Sequence, residues 1–202
     1  MQNHPPPDAF EIFLLRGFLD SQTCTEIRAE ARQSPGFPAR IYVEGSPEPI
    51  DESVRKTTSV RPSEETISKV EHLLLQQKSP IAEFFDLTLT GCERPQFLLY
   101  RAGDFFVRHQ DADADQVDWE HLRVRKVSIV IFLNDGSADE APATFGGGFL
   151  AFRRENAAAP DEPLTYPLTG ETGLLVAFRS DTIHEVTPVT HGERFTVVSW
   201  FN

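Results

Sequence analysis

From Pro95 to the end the chain breaks into short β-rich runs with glycine, proline and aspartate between them: QFLLYR, FFVRH, VRKVSIVIFL, GFLAF, LTYPL, GLLVAF, TIHEVT and RFTVVSWF. Val, Ile, Thr and aromatic side chains suit a pleated, half-buried surface. Runs at such short spacing leave no room for the crossover helices that a parallel sheet needs. They predict antiparallel strands stacked in two layers, a jelly roll.

The first half has a different texture. FEIFLLRGFL reads as a strand, and TCTEIRAEARQ as a helix opened by a Thr23–Glu26 capping box, with Cys24, Ile27 and Ala31 on one stripe and Pro35 and Gly36 as its stop. FPARIYV is expected to be a strand, and residues 44 to 62, including VRKTTSVRP, a polar loop. SEETISKVEHLLLQQK is the clearest helix: Ser63 can cap it, two glutamates suit its first turn, and Ile67, Val70, Leu73 and Leu74 form the apolar face. A short IAEFF helix follows Pro80, and ENAAAPDEP is expected to be an exposed hairpin loop. The fold class expected is mainly β with flanking helices (α+β), the helices covering one outer face of the sheets. A length of 202 residues is ample for one core and short for two. A single domain, 1–202, is expected, with 1–94 as a supporting region and 95–202 as the core.

Chemistry concentrates in Tyr100 to Asp111, YRAGDFFVRHQD. On an extended strand side chains alternate, so His109 and Asp111 point to one face and Gln110 away. A third ligand must come from another strand, and His184 in DTIHEVTPV is the candidate. Two imidazoles and one carboxylate hold Fe(II) on one face and leave the other face open. Arg194, ten residues after His184, opens RFTVVSWF, and its planar fork suits a carboxylate. His4, His72, His121 and His191 lie in a tail, on a helix, in a polar loop and in a turn, and are read as solvated or structural. Cys24 and Cys92 lack the spacing of a disulfide framework or a metal site and are expected to be free thiols.

The order of these residues resembles the catalytic domain of the Fe(II)/2-oxoglutarate dioxygenases, prolyl 4-hydroxylase branch. Tyr100, Gly103 and Phe106 precede His109 and Asp111 as in the pattern Tyr-x-x-Gly-x-x-Phe-x-x-His-x-Asp. Arg125 precedes VSIVIFLN, Gly147, Gly148 and Phe152 fit Gly-Gly-x-x-x-Phe, and His184, Pro188, Val189, Gly192 and Arg194 fit the distal pattern, closed by Trp200 and Phe201. The likeness spans roughly residues 96 to 201 and implies a double-stranded β-helix, a cupin-like jelly roll. It implies His109, Asp111 and His184 as iron ligands, and Arg194 as anchor of the far carboxylate of 2-oxoglutarate. Tyr100 and Thr196 are candidate contacts to that co-substrate or supports for Arg194, because Phe132 stands where some relatives have a tyrosine that bonds it. Arg125 and Trp200 are candidates for the substrate side, with an ion-pair partner and a core aromatic as the competing reading.

The activity implied is oxidation of 2-oxoglutarate by O2 to succinate and carbon dioxide, coupled to hydroxylation of a C–H bond, with ascorbate as a reductant. A prolyl residue in a protein or peptide is the substrate the resemblance favours. A free amino acid or other metabolite is the alternative, and a non-catalytic metal-holding module a third reading of a different class. The formal charge of −12 disfavours nucleic acid and favours cationic peptides, and DADADQVDWE reads as a solvated loop or, alternatively, as a flexible flap over the iron that attracts a basic substrate. There is no long apolar run, and MQNHPPPDAF has neither the basic nor the hydrophobic part of a signal peptide, so no membrane contact and a cytoplasmic location are expected.

Overall fold

The structure is a computed structural model and describes residues 6–7, 9–41, 50–112, 124–155, 159 and 161–202. His4, His121, most of DADADQVDWE and part of ENAAAPDEP lie outside these residues. A jelly roll is built from two antiparallel sheets. The major sheet carries β1 (Ile12–Leu15), β2 (Gly36–Pro38), β4 (Thr58–Val60), β5 (Gln96–Tyr100), β7 (Val127–Phe132), β11 (Leu175–Arg179) and β14 (Arg194–Phe201), in the order β1-β11-β7-β14-β5-β4-β2. The minor sheet carries β3 (Arg55–Lys56), β6 (Phe105–His109), β9 (Leu150–Arg154), β10 (Leu164–Leu168) and β12 (His184–Val186), in the order β10-β9-β12-β6-β3. A small ribbon pairs β8 (Phe145–Gly147) with β13 (Val189–Gly192).

The alternation of the strands sorts the two cores. On β7 and β14 the residues Val127, Ile129, Ile131, Phe195, Val197 and Phe201 face outward, where helices cover them. Val130 and Phe132 face inward onto Leu150, Phe152 and Tyr166 of the minor sheet. With both faces of β7 covered, all of VSIVIF is buried, which is why it reads as an unbroken apolar run.

The helices α1 (Ser21–Gln33), α2 (Glu64–Gln76) and α3 (Lys78–Phe85) supply that cover through Cys24, Ile27 and Ala31, Ile67, Val70 and Leu74, and Ile81 and Phe85. Ser63 caps α2, its hydroxyl accepting from the Thr66 N–H at 3.3 Å. The cap of α1 differs from the expected Thr23–Glu26 box. Asp20 caps it, accepting from the Thr23 N–H at 2.7 Å and from the Thr23 hydroxyl at 2.9 Å. A carboxylate is the stronger acceptor for an orphan N–H, so the helix starts earlier.

Three other expectations change. The loop at 44 to 62 contains β3 and β4, edge strands whose polar sequence hides their pairing with β6 and β5. Of FPARIYV, the described residues form a strand only at its start, in β2 at Gly36–Pro38, with one further backbone bond from the Ala39 N–H to the Thr57 carbonyl at 2.9 Å. His191 lies on β13 rather than in a turn. Among the described residues, no helix is long and apolar enough to cross a membrane.

Candidate active site

β6 and β12 are neighbours in the minor sheet, and their register places His109 directly opposite His184. Asp111 follows just past the end of β6, where its N–H donates to the Ser180 carbonyl at 2.9 Å. One carboxylate oxygen faces each imidazole: His109 Nε2 is 3.5 Å from Oδ1 and His184 Nε2 is 3.6 Å from Oδ2. One ligand atom from each residue falls within 4.8 Å of the others. Each ring turns Nδ1 to a backbone carbonyl, His109 to Val107 at 2.8 Å and His184 to Thr182 at 2.9 Å. A donor at Nδ1 puts the proton there and leaves the Nε2 lone pair aimed at the centre of the three.

The electrostatics suit a cation. Burial pushes the Asp111 carboxyl up, but His184, His109 and a hydrogen bond from Ser128 outweigh it and hold the group well below the usual carboxylate range. Burial, with the neighbouring His109, lowers His184 to about 4, which keeps its imidazole neutral at pH 7. An ionised carboxylate and a neutral imidazole are the ligating forms.

Simple alternation would put Phe106 and His109 on opposite faces. Instead their rings stack with centroids 3.6 Å apart. Two steps along β12, from His184 to Val186, span three along β6, from His109 to Phe106, so β6 bulges there. Gln110 donates to the Asp181 carbonyl and, like His109 and Asp111, borders the cavity.

Across a cavity of about 640 Å³ stands the inner face of β14, with Arg194, Thr196, Val198 and Trp200 at alternate positions. Arg194 is buried, donating from Nε to the Gly148 carbonyl at 2.9 Å and from Nη1 to the Thr196 hydroxyl at 3.3 Å. Its Nη2 is buried with no partner. Burial lowers the group to about 10, so it stays charged at pH 7. Aromatic rings wrap the guanidinium: its carbon lies 5.0 Å from the Tyr100 centroid and 4.9 Å from that of Phe132. Phe132 thus offers a π-face where a tyrosine would offer a hydroxyl. Gly148 has φ +55°, and a Cβ there would stand 2.9 Å from Arg194 Cδ, so this glycine lets the arginine lie against the chain.

Arg125 has an ion-pair partner and Trp200 is buried, and both border the cavity. Arg125 makes a two-pronged ion pair with Glu93, at 2.5 and 2.7 Å, and lies 3.6 Å from the Trp200 ring centroid, yet both residues line the cavity. Trp200 Nε1 is buried without a partner. Sequence reasoning missed Glu93, Ser128 and Arg55, which also lines the cavity. An inward position on an apolar strand was the one available signal for Ser128, and nothing local marked the other two. Outside this site, His72 bonds Gln76 on the open face of α2, and Cys24 and Cys92 are free, both thiols pushed up by burial.

The family model of the 2OG-Fe(II) oxygenase superfamily matches residues 95–202. A PKHD-type hydroxylase of Synechococcus sp. (strain JA-2-3B'a(2-13)) is 30% identical over 134 residues, which cover 66% of this chain and 50% of that protein. The chain therefore spans about half the length of that relative. Among solved structures, a prolyl-4-hydroxylase of Pseudomonas putida superposes with a TM-score of 0.67 at 23% identity, covering 96% of this chain and 92% of that one. A prolyl hydroxylase of Trichoplax adhaerens, solved with a hypoxia inducible factor peptide fragment, gives 0.70 at 16% identity, covering 96% and 84%. These two likenesses are of fold. The family match covers the strands that carry His109, Asp111, His184 and Arg194, and with it the chain belongs to the 2OG-Fe(II) oxygenase superfamily.

Proposed function

We propose that this chain is an Fe(II)- and 2-oxoglutarate-dependent hydroxylase acting on a prolyl residue of a protein or peptide. The observation that carries the reading is the buried, unpartnered Nη2 of Arg194 on the wall facing the His109, Asp111 and His184 donors. A charged donor left unpaired in a buried site is costly, and a carboxylate from the co-substrate supplies its missing acceptor. That also argues against a module that merely keeps a structural metal, which has no use for such an anchor.

With 2-oxoglutarate and O2, the bound iron supplies oxidative decarboxylation to succinate and carbon dioxide, and hydroxylation of a C–H bond. The chain's own residues position the reactants. His109, Asp111 and His184 hold the ion and take no part in proton transfer. Arg194, steadied by Gly148 and Thr196 and walled by Tyr100 and Phe132, fixes the far end of the co-substrate. Buried Leu150 and Val130 help exclude water from the cavity.

Trp200 lies six residues along β14 from Arg194, roughly 20 Å at strand rise. A cavity of that reach has room for a segment of substrate chain beyond the co-substrate, and the free indole N–H of Trp200 suits a peptide carbonyl. The likeness to prolyl hydroxylases supports proline as the oxidised residue. The second reading, a free amino acid or other metabolite, is favoured by the arginines in the cavity lining. A reducing compartment such as the cytoplasm fits the two free thiols and an iron that must stay ferrous.

The test is mass spectrometry of a peptide library and a metabolite extract, each incubated with the protein, Fe(II), ascorbate and 2-oxoglutarate. Prolyl peptides are expected to gain one oxygen, about 16 Da. Asp111→Ala should abolish both this gain and iron binding while circular dichroism stays unchanged, since only a metal ligand is lost. Gain confined to metabolites would move the assignment to the second reading, and parent-level turnover by Asp111→Ala would refute the site.

A further inference from the structure

Among the described residues, the charge lining the cavity is opposite to that of the whole chain. Arg40, Arg55, Arg125 and Arg194 line it, and Asp111 is the single carboxylate among the described lining residues. The formal charge of −12 and the acidic stretch after Asp111 suggest a cationic partner, but sites select through local groups, and these are basic. Three of the four arginines are already engaged, Arg40 among them. Glu93 neutralises Arg125, and Arg194 faces the co-substrate.

Arg55 is different. On β3 it pairs directly with Phe106 of β6, and its guanidinium carbon lies 4.7 Å from the Phe106 ring centroid. Phe106 in turn stacks on the His109 imidazole, so cation, ring and metal ligand form one pile fixed by the bulge of β6. Nη1 donates to the Arg40 carbonyl at 2.8 Å, which holds the side chain in place without neutralising it. Nε is buried with no acceptor, and among the described residues no carboxylate lies within ion-pair distance of Arg55. The two carboxylates of 2-oxoglutarate are already accounted for, one at the metal and one at Arg194. A second buried, unpaired guanidinium donor calls for a third anion.

We propose that Arg55, held over the Phe106 ring, recognises a carboxylate on the molecule that is oxidised, so that the substrate is an acidic peptide or a free amino acid rather than a cationic chain. This rests on the reading of the site as a 2-oxoglutarate-dependent hydroxylase, and it names the class of substrate. The guanidinium's fork selects a carboxylate over the corresponding amide by charge as well as by geometry. It is joined to His109 through the Phe106 ring, so the carboxylate it binds lies on the β6 side of the cavity.

Three matched probe sets test it: prolyl peptides flanked by Glu, the same peptides flanked by Lys, and the free amino acids beside their amides. Binding to protein loaded with Fe(II) and 2-oxoglutarate is measured by calorimetry without oxygen, and turnover is then measured in air. Carboxylate probes are expected to bind about tenfold or more tightly than their Lys or amide counterparts, the difference one charge-assisted contact makes. Arg55→Gln should erase that ratio, Arg55→Lys should keep part of it, and Arg55→Glu should invert it. Whichever carboxylate set binds identifies the source, peptide or amino acid. Absence of any preference for carboxylates, a preference that survives Arg55→Gln, or an Arg55→Gln effect confined to the KM for 2-oxoglutarate would each overturn the assignment. Selective binding with no oxygen gained by any probe would uphold Arg55 and sink the hydroxylase reading instead.

Discussion

Arg194 is the most constrained residue of the site: buried, ringed by Tyr100 and Phe132, and bonded on two of its three nitrogens. Lysine at this position keeps the charge but cannot hold Gly148, Thr196 and a carboxylate at once. Arg194→Lys should raise the KM for 2-oxoglutarate about tenfold or more with little change in iron affinity. Initial rates against 2-oxoglutarate concentration check this, and an unchanged KM would move the anchor elsewhere. His184 makes a second prediction. Burial lowers it to about 4 from an ordinary 6.5, so between those values the unfolded chain takes up a proton that the fold resists. The unfolded state then binds more protons, and stability falls as pH falls. Metal-free protein should therefore melt at lower temperature at pH 5 than at pH 7, with the loss concentrated between about 6.5 and 4. His184→Gln should show a much smaller drop; an equal drop would assign the effect to other groups.

At the scale of elements, the site depends on two adjacent strands and on what lies behind the opposite sheet. β12 sits between β6 and β9, so the register that brings His184 to His109 also brings it to Phe152. The bulge in β6 adds what alternation alone denies, Phe106 stacked on His109. Behind β14 and β7, α2 and α3 fill the outer face. Ile81 of α3 is fully buried there among Ile129, Phe195 and their neighbours. Ile81→Ala leaves a cavity and should cost about 2–5 kcal/mol of stability in denaturant unfolding. Because Ile81 does not itself line the cavity, the KM for 2-oxoglutarate of the protein that remains folded should hold. A large change in KM would mean that α3 sets the position of β14 more tightly than packing alone implies.

For the molecule as a whole, residues 1–94 and 95–202 share one core. The outer face of the major sheet is apolar along β5, β7, β11 and β14, and α1, α2 and α3 are its cover. β2 and β4 extend that sheet, and β3 extends the minor one. A chain beginning at Pro95 would leave that apolar face and the β5 and β6 edges in water. We expect it to be insoluble or molten, as read by dye binding and by loss of near-ultraviolet dichroism, whereas a stable, soluble fragment that binds iron would show two separable domains.

Much of this was legible in local order. His109 and Asp111 are two residues apart, and their common direction follows from strand geometry. The two-layer β class follows from short runs broken by turn residues, and α2 follows from Ser63 and the Ile67, Val70 and Leu74 stripe. What local order misled on was settled by competition nearby, as when Asp20 takes the cap of α1 from Thr23. Other features had no local signal. The pairing of His109 with His184 depends on a register between strands 75 residues apart in sequence (184 − 109 = 75). Glu93 neutralises Arg125 while Arg55 has no acid among the described residues, and so arginines prevail in the described lining of the cavity of an acidic chain. Periodicity is a property of neighbours in the chain, whereas burial, partners and the sign of a cavity are properties of neighbours in space. The candidate ligand set could therefore be read from the sequence, but the environment around it required the fold.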